Sequence, residues 1–193
     1  MDHLKHKNLI LASKSPRRME LFRGLGLDFT VASREVDESF PQEMDPDKVA
    51  GFLAAKKAQA FEASMTENDL IVTSDTVVVV DGKILNKPAT KAEAFEMLSA
   101  LSGTNHRVIT GVCMRDKHKK ISFDDLTQVY FRAMDETEIN HYIDTFKPYD
   151  KAGAYGIQEW IGYIGVFKIV GSFYNVMGLP VHRIYEELKK WES

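Results

Sequence analysis

Cysteine is almost absent: Cys113 is the only one in 193 residues. No intramolecular disulfide and no cysteine-based zinc site can form, and a reducing compartment is the simplest setting. No charge of one sign dominates. Lys and Arg number 25 against 28 Asp and Glu, a net charge of -3, so no broad basic field invites nucleic acid or an acidic membrane surface. No apolar run exceeds the four residues of Val77–Val80, far short of the roughly 20 needed to cross a bilayer. The polar start, Met1 to Asn8, leads into only four apolar residues and lacks the pattern of a secretory signal. No repeat, low-complexity tract or Pro/Gly/Ser linker divides the chain. A cytoplasmic protein of one domain, or one domain in two lobes, is expected, with neither membrane nor nucleic acid as partner.

Hydrophobic residues make up 44% and charged residues 27%, ordinary for a chain that buries a core. Strand-type and helix-type segments alternate, which predicts an α/β or mixed α+β fold. Asn8–Ala12 reads as a buried strand. Ser15-Pro16 reads as an N-cap with proline at the first helical position, followed by Met19, Phe22 and Leu25 on an inward face. Asp45-Pro46 opens a second helix with the stripe Val49, Phe52, Leu53 and Ala60. Leu70–Val80, Arg107–Met114 and Gln128–Ala133 read as strands. Thr90/Glu93 and Asp135/Glu138 fit capping boxes. Tyr149–Gln158 reads as a loop, Ile161–Val170 as one or two strands, and Val181–Trp191 as an amphipathic helix.

Two features carry chemistry. In Ser13-Lys14-Ser15-Pro16-Arg17-Arg18, three cations surround a helix N-terminus, where the dipole disfavours them by roughly 0.3–1 kcal/mol each. Free N–H groups and positive side chains there make a phosphate site, and a solvated basic turn accounts for the residues equally well. In Ser74-Asp75-Thr76 a carboxylate sits inside a strongly apolar strand, which is costly unless it is paired or binds a metal. No Gly or Pro marks a turn at Asp75, so a functional role is favoured over a strand break.

Other residues are ambiguous alone. Lys87 stands beside Pro88 in a turn after the hairpin-like Asp81-Gly82, and a plain exposed lysine fits it and Lys83 better in isolation. Helical spacing puts Lys56 within the second helix's apolar stripe and Lys57 on its flank, without saying which is functional. The pair Asp37-Glu38 suits Mg²⁺ or Mn²⁺, but acidic loop pairs are usually just solvated. Cys113 lies mid-strand, a packing position. There is no Walker motif, no G-x-G-x-x-G and no G-x-S-x-G. The constellation fits chemistry on a phosphate substrate.

These residues fall in an order that resembles the Maf family of nucleotide pyrophosphatases. Leu11-Ala12-Ser13-Lys14-Ser15-Pro16-Arg17-Arg18 resembles L-A-S-x-S-P-R-R, with Lys14 where a small residue is frequent. Ser74-Asp75-Thr76 matches S-D-T, and Gly82 to Pro88 matches G-x-x-L-x-K-P. Leu101 to Val112, Asp150 to Gln158 and Gly171 to Pro180 match three further blocks, so the resemblance runs from residue 11 to 180.

The resemblance implies an elongated, twisted mixed sheet in two lobes flanked by helices, like that of inosine triphosphatases, with a nucleotide cleft between the lobes. It implies one such domain over residues 1–193, and hydrolysis of a nucleoside triphosphate to monophosphate and pyrophosphate with Mg²⁺ or Mn²⁺. It gives Asp75 the part of general base or metal ligand, Glu38 that of metal ligand, and Glu38, Lys57 and Lys87 that of catalytic cleft charges. Ser13, Ser15, Arg17, Arg18, Thr76 and Gln158 become substrate-binding residues. Arg17, Thr76 and Gln158 occupy the positions of the dTTP/UTP branch; the branch acting on 7-methyl-GTP has Glu in place of Gln. A homodimer is compatible with the resemblance, as is removal of modified nucleotides from the pool. The rival expectation is a nucleotide-binding regulator of septum formation without essential turnover.

Overall fold

The computed structural model describes residues 1–191 and folds them into an α/β arrangement built on a seven-stranded mixed sheet. The strands are β1 (Asn8–Ala12), β2 (Thr30–Ala32), β3 (Asp69–Val80), β4 (Lys83–Leu85), β5 (Asn105–Arg115), β6 (Lys120–Phe131) and β7 (Val166–Val170). Their order is β2-β1-β3-β5-β6-β7, with β4 on β3. β1 runs parallel to β2 and β3; β4 is antiparallel to β3, and β7 to β6. The helices are α1 (Pro16–Arg23), α2 (Pro46–Gln59), α3 (Lys91–Leu101), α4 (Glu136–Phe146), α5 (Trp160–Gly165), α6 (Phe173–Val176) and α7 (Val181–Lys189). None of the described helices is long and apolar enough to cross a membrane.

The chain forms two compact units that interleave in sequence, so no single cut separates them. The first takes residues 1–75, 110–125 and 178 onward; the second takes 76–109 and 126–177. Strand β3 passes from the first to the second between Asp75 and Thr76.

In the first unit, α2 lies directly against β5. A Cβ built on Gly111 would stand 2.2 Å from the Gly51 backbone nitrogen, so only glycine fits there. The helix buries Val49, Ala50, Leu53, Ala54 and Ala58, all small or medium side chains, as so close an approach requires. The expected stripe is therefore shifted: Phe52 is exposed and Ala60 only partly covered. Likewise α1 buries Leu21 and Phe22, leaving Met19 and Leu25 half-covered. Thr73 donates its hydroxyl to the Ala54 carbonyl at 2.7 Å, pinning β3 to α2. Cys113 is buried among Ala54 and Ala58, and burial pushes its thiol pKa up, so it packs and does not react.

In the second unit, α3, α4 and α5 enclose a core that includes Val78, Leu98, Val129, Phe131, Ile139, Tyr142 and Ile161. Asp81 and Gly82 both have positive φ, as a two-residue hairpin turn needs. The capping box at Asp135/Glu138 is complete; at Thr90 only half forms, because Glu93 reaches past the cap to the Ala89 N–H. Residues 161–170 divide into helix α5 and strand β7. Gly162 explains why they are not all strand: a Cβ there would stand 1.8 Å from the Ile157 carbonyl oxygen, so the chain coils tightly at that point. Strand β6 begins eight residues before the expected Gln128; its first half alternates only over Ile121 and Phe123 before the acidic pair Asp124-Asp125 interrupts the pattern.

His106 is buried between the rings of Phe131 and Tyr155, with Nε2 2.7 Å from the Tyr155 hydroxyl. Burial lowers its pKa from 6.5 to about 4. Above the ordinary value both folded and unfolded chains are neutral here. As pH falls from about 6.5 the unfolded chain takes a proton that the folded chain refuses, so stability drops by up to about 3 kcal/mol and levels off near pH 4. We expect His106→Gln to flatten the stability profile between those pH values; urea melts at stepped pH measure it, and an unchanged slope refutes the assignment.

Candidate active site

Asp75 sits at the point where β3 leaves the first unit. Side chains alternate along a strand, so Thr73 and Asp75 share a face, the one turned to α2. Three residues on from Ala54, which accepts from Thr73, comes Lys57. Its Nζ lies 2.5 Å from Asp75 Oδ1 and 2.8 Å from Glu38 Oε1. The three side chains are 14%, 19% and 54% exposed for Asp75, Lys57 and Glu38. Asp75 is thus half-buried, not enclosed, and its partner is a lysine. Lys57 stands in the last turn of α2, where the helix dipole favours a cation.

Spacing left Lys56 and Lys57 unresolved, and the structure separates them. Lys57 takes the inner position and Lys56 the outer one, 3.0 Å from Asp37 Oδ2. The adjacent acids Asp37 and Glu38 therefore dock on adjacent lysines, which holds this loop against α2. The Ser39 hydroxyl and N–H, with Lys56, hold the Asp37 carboxyl down to about 2.

The N-terminus of α1 belongs to the same unit. Ser15 is its cap, accepting from the Arg18 N–H at 3.4 Å, and Ser13 accepts from the Ser15 N–H at 3.1 Å. Arg17 is half-buried. Arg18 does something the sequence did not show. Its Nε donates to the Gly178 carbonyl at 2.8 Å and its Nη1 to the Ser74 carbonyl at 2.9 Å. Burial pushes the guanidinium pKa down, while the Asp75 carboxylate pulls it up. Arg18 thereby ties α1 to the backbone beside Asp75.

The remaining candidates lie in the second unit. Thr76 follows Asp75 on β3 and is half-buried. Lys87 is exposed in the turn after β4, and the neighbouring Asn86 carbonyl accepts from the Gly153 N–H at 3.2 Å. Gln158 ends the 150–158 loop. Its Oε1 is shut off from solvent and has no hydrogen-bond partner.

Among the described residues no three or more His, Cys, Asp or Glu side chains gather to hold a metal. Asp75 and Glu38 nevertheless converge on one cation position, that of the Lys57 ammonium. Mg²⁺ is usually held by one or two carboxylates together with substrate phosphates and water, and this donor set fits that pattern.

An α/β fold whose strand aspartate pairs with a helix lysine near a capped, cationic helix N-terminus defines a phosphate-handling enzyme class. The family model for Maf-like proteins matches residues 8–191, and the chain belongs to that family. It is 48% identical over 190 residues to the dTTP/UTP pyrophosphatase of Parabacteroides distasonis, covering 98% of each chain. It is 46% identical to the dTTP/UTP pyrophosphatase of Flavobacterium johnsoniae, covering 97% of this chain and 96% of that one. Among solved structures it is similar to the Staphylococcus aureus Ham1 protein, at 13% identity and a TM-score of 0.48 over 65% of this chain and 72% of that one.

The two neighbouring arginines should separate in stability. Arg18→Ala removes charge-assisted bonds to two carbonyls and should cost at least about 1.5 kcal/mol, whereas Arg17→Ala should cost under about 0.5. Thermal melts of the two variants decide it; equal melting temperatures would remove the structural role from Arg18.

Proposed function

We propose that this chain hydrolyses dTTP and UTP to the nucleoside monophosphate and pyrophosphate. The observation that carries the reading is the Asp75–Lys57–Glu38 cluster, with two carboxylates on one ammonium. The names of the relatives support the substrates.

Asp75 orients a water and accepts its proton as the water oxygen bonds to the α-phosphorus. The bond from that phosphorus to the bridging oxygen breaks, and pyrophosphate leaves with the electron pair. Lys57, 2.5 Å from Asp75 Oδ1, keeps that carboxylate aimed. Arg17, Lys87 and the N–H groups of α1 take the negative charge of the phosphates, with Ser13 and Ser15 setting the shape of that terminus. Such preorganised charge is the main source of rate in phosphoryl transfer. Glu38 and Asp75 would hold a divalent cation, Mg²⁺ or Mn²⁺, whose contribution is to neutralise phosphate charge. The free thiol of Cys113 suits a cytoplasmic setting.

Base choice follows from hydrogen-bond arithmetic. Uracil and thymine show an N3–H donor flanked by carbonyl acceptors, and the Gln158 amide offers one acceptor and one donor. Guanine shows two adjacent donors, which a carboxylate matches and an amide does not. Arg17 and Thr76 complete the selection against cytosine.

Purified protein with each common triphosphate and Mg²⁺ or Mn²⁺ should release pyrophosphate fastest from UTP and dTTP, from CTP next, and far more slowly from purine nucleotides. Asp75→Asn should lower turnover at least about 100-fold with the fold intact. No turnover by the native protein refutes the reading, and near-normal turnover by the variant removes Asp75 from the chemistry.

Gln158→Glu should lower kcat/KM for UTP and raise the ratio for GTP or its 7-methyl form relative to UTP, each unpaired polar group costing roughly 1–3 kcal/mol. Steady-state kinetics on both proteins measures the ratio, and an unchanged one means that Gln158 does not touch the base.

A further inference from the structure

Gln158 reads a base only if its amide is held in place, and the structure shows what holds it. The 150–159 loop is backbone-strained: Gly153 has φ 66° and the non-glycine Ala154 φ 59°. Such a segment persists only when its surroundings over-determine it. The surroundings here are a chain of hydrogen bonds through one side chain of α4. The Tyr142 ring is fully buried and stacks on Phe146. Its hydroxyl accepts from the Gly156 N–H at 3.0 Å and donates to the Glu159 carboxylate. Glu159 Oε1 in turn lies 3.2 Å from Lys151 Nζ, which is 2.6 Å from Asp150 Oδ1. Lys151 is only 8% exposed. The start, middle and end of the loop thus meet on one phenol.

Gln158 lies between the two residues bonded to that phenol. A Cβ on Gly156 would stand 2.8 Å from the Glu159 carboxyl carbon and 3.1 Å from Gln158 Nε2. Both side chains are therefore folded back over Gly156, and Oε1 is the amide atom of Gln158 that is closed off from solvent without a partner. A tyrosine hydroxyl has one proton, and Glu159 takes it, so the Gly156 N–H meets a lone pair and the orientation is fixed.

We propose that Tyr142, braced by Glu159 and Lys151, is a positioning residue for substrate selection, holding the loop that carries the Gln158 amide in the arrangement that selects a uracil or thymine base. This rests on the dTTP/UTP reading above. Without the hydroxyl the Gly156 N–H and Glu159 are released, and the amide is free to turn by half a revolution and meet cytosine, which has an acceptor at N3. The triphosphate machinery around Asp75 and Lys57 is untouched by the change.

The test compares native protein with Tyr142→Phe, which keeps the ring and its packing, and Glu159→Gln, which keeps a hydrogen-bonding group and loses the charge facing Lys151. For each, kcat and KM are measured with UTP and CTP, binding with non-hydrolysable analogues of both, and the melting temperature. We expect Tyr142→Phe to raise KM for UTP, to change kcat less than about 3-fold, and to lower the UTP-over-CTP preference at least about 5-fold, the loss of one modest hydrogen bond. Glu159→Gln should move the preference the same way by a smaller factor, and it decides the matter if Tyr142→Phe does not fold. A preference within about 2-fold of native, or an equal fall on both nucleotides that tracks a lower melting temperature, makes the network merely structural and overturns the proposal. Native protein that neither binds nor hydrolyses UTP overturns both this inference and the function on which it rests.

Discussion

The Lys57 ammonium holds two carboxylates at once, and most of the first unit is arranged around that fact. Asp75 stands in a strand whose neighbours Ile71, Val72, Val77 and Val78 are buried, where an ionised acid is expensive. Lys57 makes it tolerable only if helix and strand keep their spacing to within a fraction of an ångström. Two contacts keep it. Gly111 lets the backbones of α2 and β5 touch, and the Thr73 hydroxyl locks onto the Ala54 carbonyl three residues before the lysine. A larger residue at Gly111 would lift the helix and separate the pair.

Arg17 and Arg18 look interchangeable in the sequence and are not in the fold. A residue at the start of a helix has its side chain free to face either the anion site or the body of the protein. Arg18 faces the body and bonds two carbonyls, one of them at Ser74, directly before Asp75. The guanidinium's flat fork suits two carbonyls in different directions, which a lysine could not match. So the phosphate-type terminus and the strand aspartate are mechanically joined, and the serine caps can hold their places while charge comes and goes.

Much of this was legible before any coordinates. Proline caps, apolar spacing and the hairpin turn located β1, α1, α2, β3, α4 and α7, because in those segments local preference and burial agree. Asp75 stood out because its neighbours are so apolar. What stayed hidden depends on distant partners. Lys56 and Lys57 differ only in which acid each meets, and that is set by how the 33–45 loop docks. In α2 Val49 and Leu53 are buried as expected, while Ala50, Ala54 and Ala58 take the inner face in place of Phe52 and Ala60, because alanine is a weak signal of burial. Strand β6 was half missed since Asp124 and Asp125 disguise it, and Glu93 reaches Ala89 instead of its own cap. The Tyr142–Glu159–Lys151 network joins a helix to a loop through links 17 and 8 positions long, so no local helix or strand pattern could have announced it.

Charge balance shows how the cluster and the substrate fit together. Asp75 and Glu38 bring two negative charges to Lys57's one, and the nearby Arg18 guanidinium, which both carboxylates act on, offsets the second. Glu38 is the more exposed partner and the more easily exchanged. In the proposed reaction a triphosphate adds further negative charge beside this cluster. A divalent cation held by Glu38 and Asp75, as proposed, would offset that charge, and Glu38 is the more exposed of the two carboxylates that would turn to it while Asp75 lies closer to its lysine. Two acids on one base thus differ by burial: the exposed one is placed to exchange partners, and the half-buried one to hold its place.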